Sequence, residues 1–277
     1  MIRKITLMLA ACLCVAAVAN AQQKPAPAPI KGTIFLVDGT KRAGAIRWSA
    51  KEKAYIIKKQ AGATFIDEQT PPDQVERLDI EKPAQWDALA KAVEAGKGTA
   101  AIPRLEAIAK QYAHLQWDKE AGRYLAQAYI AQGNFDKALA AANDIIKTDE
   151  TAAYLGVLAP MYWQALLKKG QNSKLEAALK KAVASGDRYA SGAALIMRGD
   201  MLVEGKPGDR DAALNALEDG YLRVVLMYND AGVAEHLRPE ALAKAAKCFE
   251  TAGMAPRAAT LRGQLRAQYP NSPWVSK

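Results

Sequence analysis

The sequence predicts a small all-β module over residues 32–82, a barrel or rolled sheet, followed by an all-α array of paired helices over residues 83–277. Three observations carry this. Between Gly32 and Ile80 the chain is a succession of short β-type runs separated by turn residues. After Pro83 alanine and leucine dominate and β-branched residues thin out. In that second part, glycines interrupt the helical pattern at wide and nearly regular intervals.

Ahead of both parts the chain opens MIRKITLMLAACLCVAAVANAQQ, where Arg3 and Lys4 precede an uncharged run from Ile5 to Val18 and then Ala19-Asn20-Ala21. This is the pattern of a secretory signal over residues 1–21, cleaved after Ala21, and it implies an exported, periplasmic protein. The apolar run falls short of the roughly 20 residues of a membrane span, so no transmembrane helix is expected in the mature chain. Leu9-Ala10-Ala11-Cys12 also resembles a lipoprotein signal, and the alternative is a chain anchored through Cys12. The apolar run continues past that cysteine, which favours simple cleavage. Removal of the signal takes Cys12 and Cys14, leaving Cys248 alone, so intramolecular disulfides are excluded and packing must supply the stability. It also takes two positive charges, so the formal +9 becomes 9 − 2 = +7. That balance favours anionic partners such as envelope polymers or acidic proteins. No nucleic-acid-binding motif accompanies the charge, so nucleic acid is not expected as a partner. Residues 22–31, QQKPAPAPIK, alternate proline with alanine and read as a semi-extended tether.

The β module is read from GTIFLV, the turn Asp38-Gly39-Thr40, RAGAIRW, the polar turn SAKEK, AYIIKK, ATFID and VERLDI. Asp-Gly between two such runs is a hairpin signal, and Pro71-Pro72 breaks the sheet before its last strand. Four or five strands in so short a stretch are consistent with an Src-homology-3-like topology.

In the helical part the interrupting glycines are Gly96, Gly133, Gly170, Gly205 and Gly253, separated by 37, 37, 35 and 48 residues. The first three intervals approximate one helix-turn-helix unit, and the last implies an insertion around Tyr228–Arg238. Around Gly133, Leu125, Ala126 and Tyr129 share a face of the first helix, and small Ala126 and Ala138 would let the two helix axes approach. Ala246, Phe249, Gly253, Ala258, Leu265 and Pro270 repeat the spacing in the last unit. On these residues the chain resembles a tetratricopeptide repeat array over about residues 84–272. It departs from the family pattern at Gly122, where a large residue is usual, and at Glu150, where proline is. The closing AQYPNSPWVSK is similar to stretches in exported bacterial proteins of that family.

The resemblance implies a binding scaffold, whose concave face is lined by first-helix side chains left free by packing. Carrying the family positions over gives Arg123 and Gln127, Gln164 and Lys168, and Lys247, which could hold an extended peptide of another envelope or secreted protein. A second candidate surface is the basic segment of the β module: Lys41, Arg42, Arg47, Lys51, Lys53, Lys58 and Lys59, with Glu52 the only acid between residues 41 and 59. These seven cations could hold an anionic polysaccharide or lipid headgroup, with Trp48 and Tyr55 stacking on a sugar or filling the core. No catalytic or metal constellation is expected. His114 and His236 are far apart in sequence with no cysteine beside either, adjacent acids such as Asp149-Glu150 fall in turns, and GKPGDR lacks the spacing of a phosphate loop. Neither an enzyme nor a cofactor is therefore expected.

Overall fold

The computed structural model describes residues 29–62, 64–228 and 232–276. The signal, Cys12 and Cys14, and residues 22–28 of the tether lie outside the described residues.

Five strands form one antiparallel sheet: β1 (Ile30–Leu36), β2 (Lys41–Ser49), β3 (Ala54–Ala61), β4 (Thr64–Thr70) and β5 (Val75–Ile80), in the order β4-β3-β2-β1-β5. A short 3-10 turn, Pro72–Gln74, separates β4 from β5, where the two prolines forbid ladder hydrogen bonds. Strand β1 takes in Ile30 and Lys31, assigned above to the tether. Ile30 is 7% exposed and pairs with Ile46, so burying its side chain extends the strand past Gly32. At the β1–β2 turn Gly39 has φ of 81° and Asp38 Oδ1 accepts from the Thr40 amide at 2.8 Å.

The sheet curls. Ala45 pairs with Lys58, so along the ladder Arg42 would meet Ala61 and then Thr64. Its guanidinium instead donates to Thr70 Oγ1 at 2.9 Å and lies 3.3 Å from Glu68 Oε1, near the other end of β4. Only a rolled sheet brings these ends together, and Thr70 is fully buried at the closure.

Eleven α-helices follow among the described residues: α1 (Trp86–Glu94), α2 (Ile102–Gln111), α3 (Trp117–Ala131), α4 (Phe135–Ile146), α5 (Ala159–Lys168), α6 (Asn172–Ala184), α7 (Arg188–Val203), α8 (Arg210–Ala216), α9 (Leu222–Met227), α10 (Val233–Thr251) and α11 (Ala255–Gln268). The five spaced glycines each sit in the turn of a hairpin: α1–α2, α3–α4, α5–α6, α7–α8 and α10–α11. Their φ values are 73°, 70°, 63°, 70° and 74°, a left-handed conformation that side chains with a Cβ resist. The longer last interval arises because α8 runs through a π-helical segment, Leu217–Tyr221, into α9 before the next hairpin begins. None of the described helices is long and apolar enough to cross a membrane.

Packing in the α3–α4 hairpin follows the expected scheme: Ala126, Ala138 and Ala142 are each 1% exposed. The departure at Gly122 has a partner, since a Cβ there would meet Ile145 Cδ1 at 2.9 Å. The bulk usual on the first helix has moved to the second.

Sheet and helices share a core. Ile34, Ile46 and Ile57 belong to the same buried cluster as Trp86, Leu105, Tyr124 and Leu166. Trp117 Nε1 donates to the Ile80 carbonyl at 3.0 Å, fastening the last strand to α3. His114 stacks on Trp48 with ring centroids 4.4 Å apart, and Tyr55 meets Trp48 edge-on at 5.1 Å. Trp48 is therefore a joint between sheet and α2–α3 turn. A second buried cluster, from Leu195 to Leu265, holds α7–α11 together.

Candidate functional site: the groove of helices α5, α7 and α10

Helices α5, α7 and α10 open the last three hairpins, and α7 packs against both of the others. Two cavities lie along them. One, about 430 Å³, is walled by Pro160, Met161, Gln164, Leu167 and Lys168 of α5, Met197, Asp200 and Val203 of α7, Glu204 just past it, Glu240 and Lys244 of α10, and Trp274. The other, about 390 Å³, lies between α7, α10 and the turn Gly205–Asp209, and includes Lys206, Tyr221, Lys247, Cys248 and Thr251. They share Asp200, Val203 and Lys244, so they form one groove.

Backbone geometry explains why the groove opens here. The α7–α8 turn is longer than the α3–α4 turn, and its two glycines, Gly205 and Gly208, have φ of 70° and 78°. A Cβ on Gly220 would come within 2.8 Å of the Gly199 Cα, so the π segment lies directly against α7. That contact aims the Tyr221 ring over Gly199, where its hydroxyl donates to Asp200 Oδ1 at 2.7 Å.

Asp200 is the hub. Lys244 Nζ donates to Asp200 Oδ2 at 2.7 Å and lies 2.6 Å from Glu240 Oε1, so one ammonium is shared by two carboxylates. Burial would lower the Lys244 pKa, but the Asp200 and Glu240 charges outweigh it and hold the value above the ordinary lysine range. Burial, reinforced by the Asp200 charge and hydrogen bond, pushes the Tyr221 phenol well up. The same two influences, burial first and then Asp200, raise the Cys248 thiol from 9.0 to about 11. In the helical run AKAAKCFETAG, Cys248 reads as a small core residue, and the structure holds it buried.

Of the five residues expected on the concave face, the structure brings three together. Gln164 and Lys168 line the first cavity and Lys247 the second. Lys168 is met by Glu204 at 2.6 Å, so its charge is already matched. Arg123 and Gln127 lie on α3, outside both cavities. Arg123 is held by Glu120 at 3.2 Å, with its guanidinium over the Tyr124 ring at 4.0 Å. Sequence reasoning missed Asp200, Tyr221, Lys244 and Trp274. The one local signal was Glu240–Lys244 at i,i+4 spacing, which by itself reads as a solvated pair.

The basic segment of the β module does not form one surface. Alternation along the paired strands puts Arg42 and Lys59 on the face of Ile46 and Ile57, and Lys41, Arg47 and Lys58 on the other face. Lys51 and Lys53 fall in the β2–β3 turn. Arg42 pairs with Glu68 and Arg47 with Asp67 at 3.4 Å, while Lys58 lies over the Phe65 ring at 4.9 Å. Lys51 lies 3.8 Å from Glu52. The acids that neutralise the arginines come from β4, outside the stretch in which cations and acids were counted.

A wider open cleft of about 630 Å³ lies between sheet and α2–α3 turn, lined by Tyr55, Arg77, His114, Asp118 and Lys119 among others. Among the described residues no group of histidine, cysteine or acidic side chains is placed to hold a metal ion.

A family model described as tetratricopeptide repeat matches residues 92–159, from the end of α1 to the start of α5. The chain is thus tetratricopeptide-like, and such repeats generally mediate protein–protein interactions. The match contains the Gly96 and Gly133 turns; every residue lining the groove described above lies beyond it. No curated protein and no solved structure matches the chain.

Proposed function

We propose that this protein is a non-enzymatic interaction scaffold or adaptor of the bacterial cell envelope, exported by its N-terminal segment, which docks another envelope or secreted protein in the groove of α5, α7 and α10. The observation that carries this reading is the pair of contiguous cavities along three first helices of a tetratricopeptide-like array. A groove of this kind offers an extended segment many shallow contacts on a rigid frame. Export is supported by Arg3 and Lys4 ahead of the apolar run and by Ala19-Asn20-Ala21 after it. The alternative role, an anionic-polymer module in the β domain, is left with Lys41, Lys53, Lys58 and Lys59 as cations in no ion pair among the described residues, divided between two faces and a turn.

The test compares wild-type protein with a Gln164→Arg/Met197→Arg variant, both immobilised and exposed to envelope extract, with retained proteins quantified by mass spectrometry. The proposal expects one protein or complex retained by the wild type and lost from the variant at unchanged thermal stability. Identical retention by both would overturn it, and salt-sensitive retention of acidic polysaccharide by both would favour the polymer reading.

A further inference from the structure

We infer that the groove takes an extended peptide segment carrying an apolar side chain and, further along the same segment, an acidic one. This rests on the groove being the docking surface and adds what its two halves select.

The first half is apolar at its walls and has one carboxylate more than it has ammonium groups. Met161, Leu167, Met197 and Val203 line it with the Trp274 ring. Methionine and tryptophan walls suit an aliphatic or aromatic anchor, because the flexible thioethers adapt to its shape. The two ammonium groups here, Lys168 and Lys244, face three carboxylates, Asp200, Glu204 and Glu240. An acidic residue is therefore repelled from this half rather than held.

The second half is different. Asp200 is taken by Lys244 and Tyr221, and the Asp209 carboxylate caps α8 by accepting from the Ala212 amide at 2.9 Å. Lys206 and Lys247 are both exposed at the rim and neither is in an ion pair among the described residues. The cap leaves the Asp209 charge in place, so two ammonium groups face one carboxylate, and the excess positive charge favours an acidic side chain. Because the halves share Asp200, Val203 and Lys244, one extended segment can reach both. The hub between them, one ammonium against two carboxylates, adds to the repulsion of an acidic residue from the first half.

A positional-scanning library of short synthetic peptides, passed over the immobilised full-length chain, reads this preference without knowledge of the natural partner. The expected profile is enrichment of Leu, Ile, Met or Phe at one position and of Asp or Glu at another, with binding that weakens as salt rises. In a Lys206→Glu/Lys247→Glu variant the acidic preference is lost and affinity for the selected peptide falls on the order of tenfold. A Lys41→Glu/Lys59→Glu variant in the β module leaves both unchanged. A wild-type profile without acidic enrichment, or one unaltered in the Lys206/Lys247 variant at unchanged melting temperature, overturns the inference. If capture of an envelope protein through Gln164 and Met197 persists in that event, the docking reading stands and only the selectivity falls. Loss of both removes the docking reading as well.

Discussion

Asp200 shows most directly how single side chains shape the groove. It accepts from the Tyr221 hydroxyl and from Lys244, whose ammonium it shares with Glu240. Replacing it by alanine strands the phenol and leaves the ammonium to Glu240 alone; with the charged side chains still partly solvated, a loss of about 1–3 kcal/mol is expected. Tyr221→Phe in the same background removes the stranded hydroxyl, so the double variant should be less destabilised than Asp200→Ala alone, as read from urea unfolding midpoints. Cys248 gives a pH prediction with a definite sign. Its folded-state pKa, about 11, lies above the ordinary 9.0, so the folded state holds the thiol proton more tightly than the unfolded chain. The corresponding stability is fully present below pH 9.0 and is lost as pH rises through about 11. Unfolding measured across that window should show a decline that Cys248→Ala reduces, and alkylation of native Cys248 near neutral pH should be slow until denaturant is added.

At this scale the sequence was legible where identity alone imposes a role. Cys248 in a helical run with apolar neighbours reads correctly as a core residue. Lys168 and Arg42 do not read correctly, because their partners, Glu204 and Glu68, are distant in sequence and adjacent only after folding. A cation counted along the chain is not a free cation in the fold.

Among the elements, the hairpins were the most legible part of the molecule. A left-handed residue is required at each turn, only glycine adopts it without strain, and all five spaced glycines have that conformation. What the spacing could not give was how the bulk is divided between helices. Gly122 against Ile145 exchanges the usual large and small positions, leaving the α3–α4 hairpin packed although it departs from the family pattern. Gly122→Leu should therefore cost about 1–3 kcal/mol by overpacking, and Ile145→Ala added to it should restore part of the loss. If the single substitution were neutral in thermal unfolding, the exchange of size would not be what holds the hairpin. The π segment was equally hidden. Its consequence, Gly220 lying against Gly199 and Tyr221 reaching Asp200, is a backbone irregularity without a sequence signature beyond two small residues.

Over the whole molecule, β module and array were legible as separate parts, whereas their union was not. Trp117 bonding to the Ile80 carbonyl and Trp48 stacked on His114 join a β strand to a helix turn, and neither contact has a local pattern. The rolled sheet closes one end of the array. The groove lies toward the other, where α5, α7 and α10 meet Trp274. The proposed docking surface and the sheet thus lie toward opposite ends of the array.

The most direct test places a photo-activated cross-linking residue at Gln164, inside the groove, and separately at Lys180, exposed on α6, in cells producing the full-length protein. The account predicts one dominant protein adduct from position 164 and none from 180, with the 164 adduct lost when Met197→Arg is added. Equal cross-linking from the two positions, or an adduct from 180 alone, would contradict the groove as the place where this protein meets its partner.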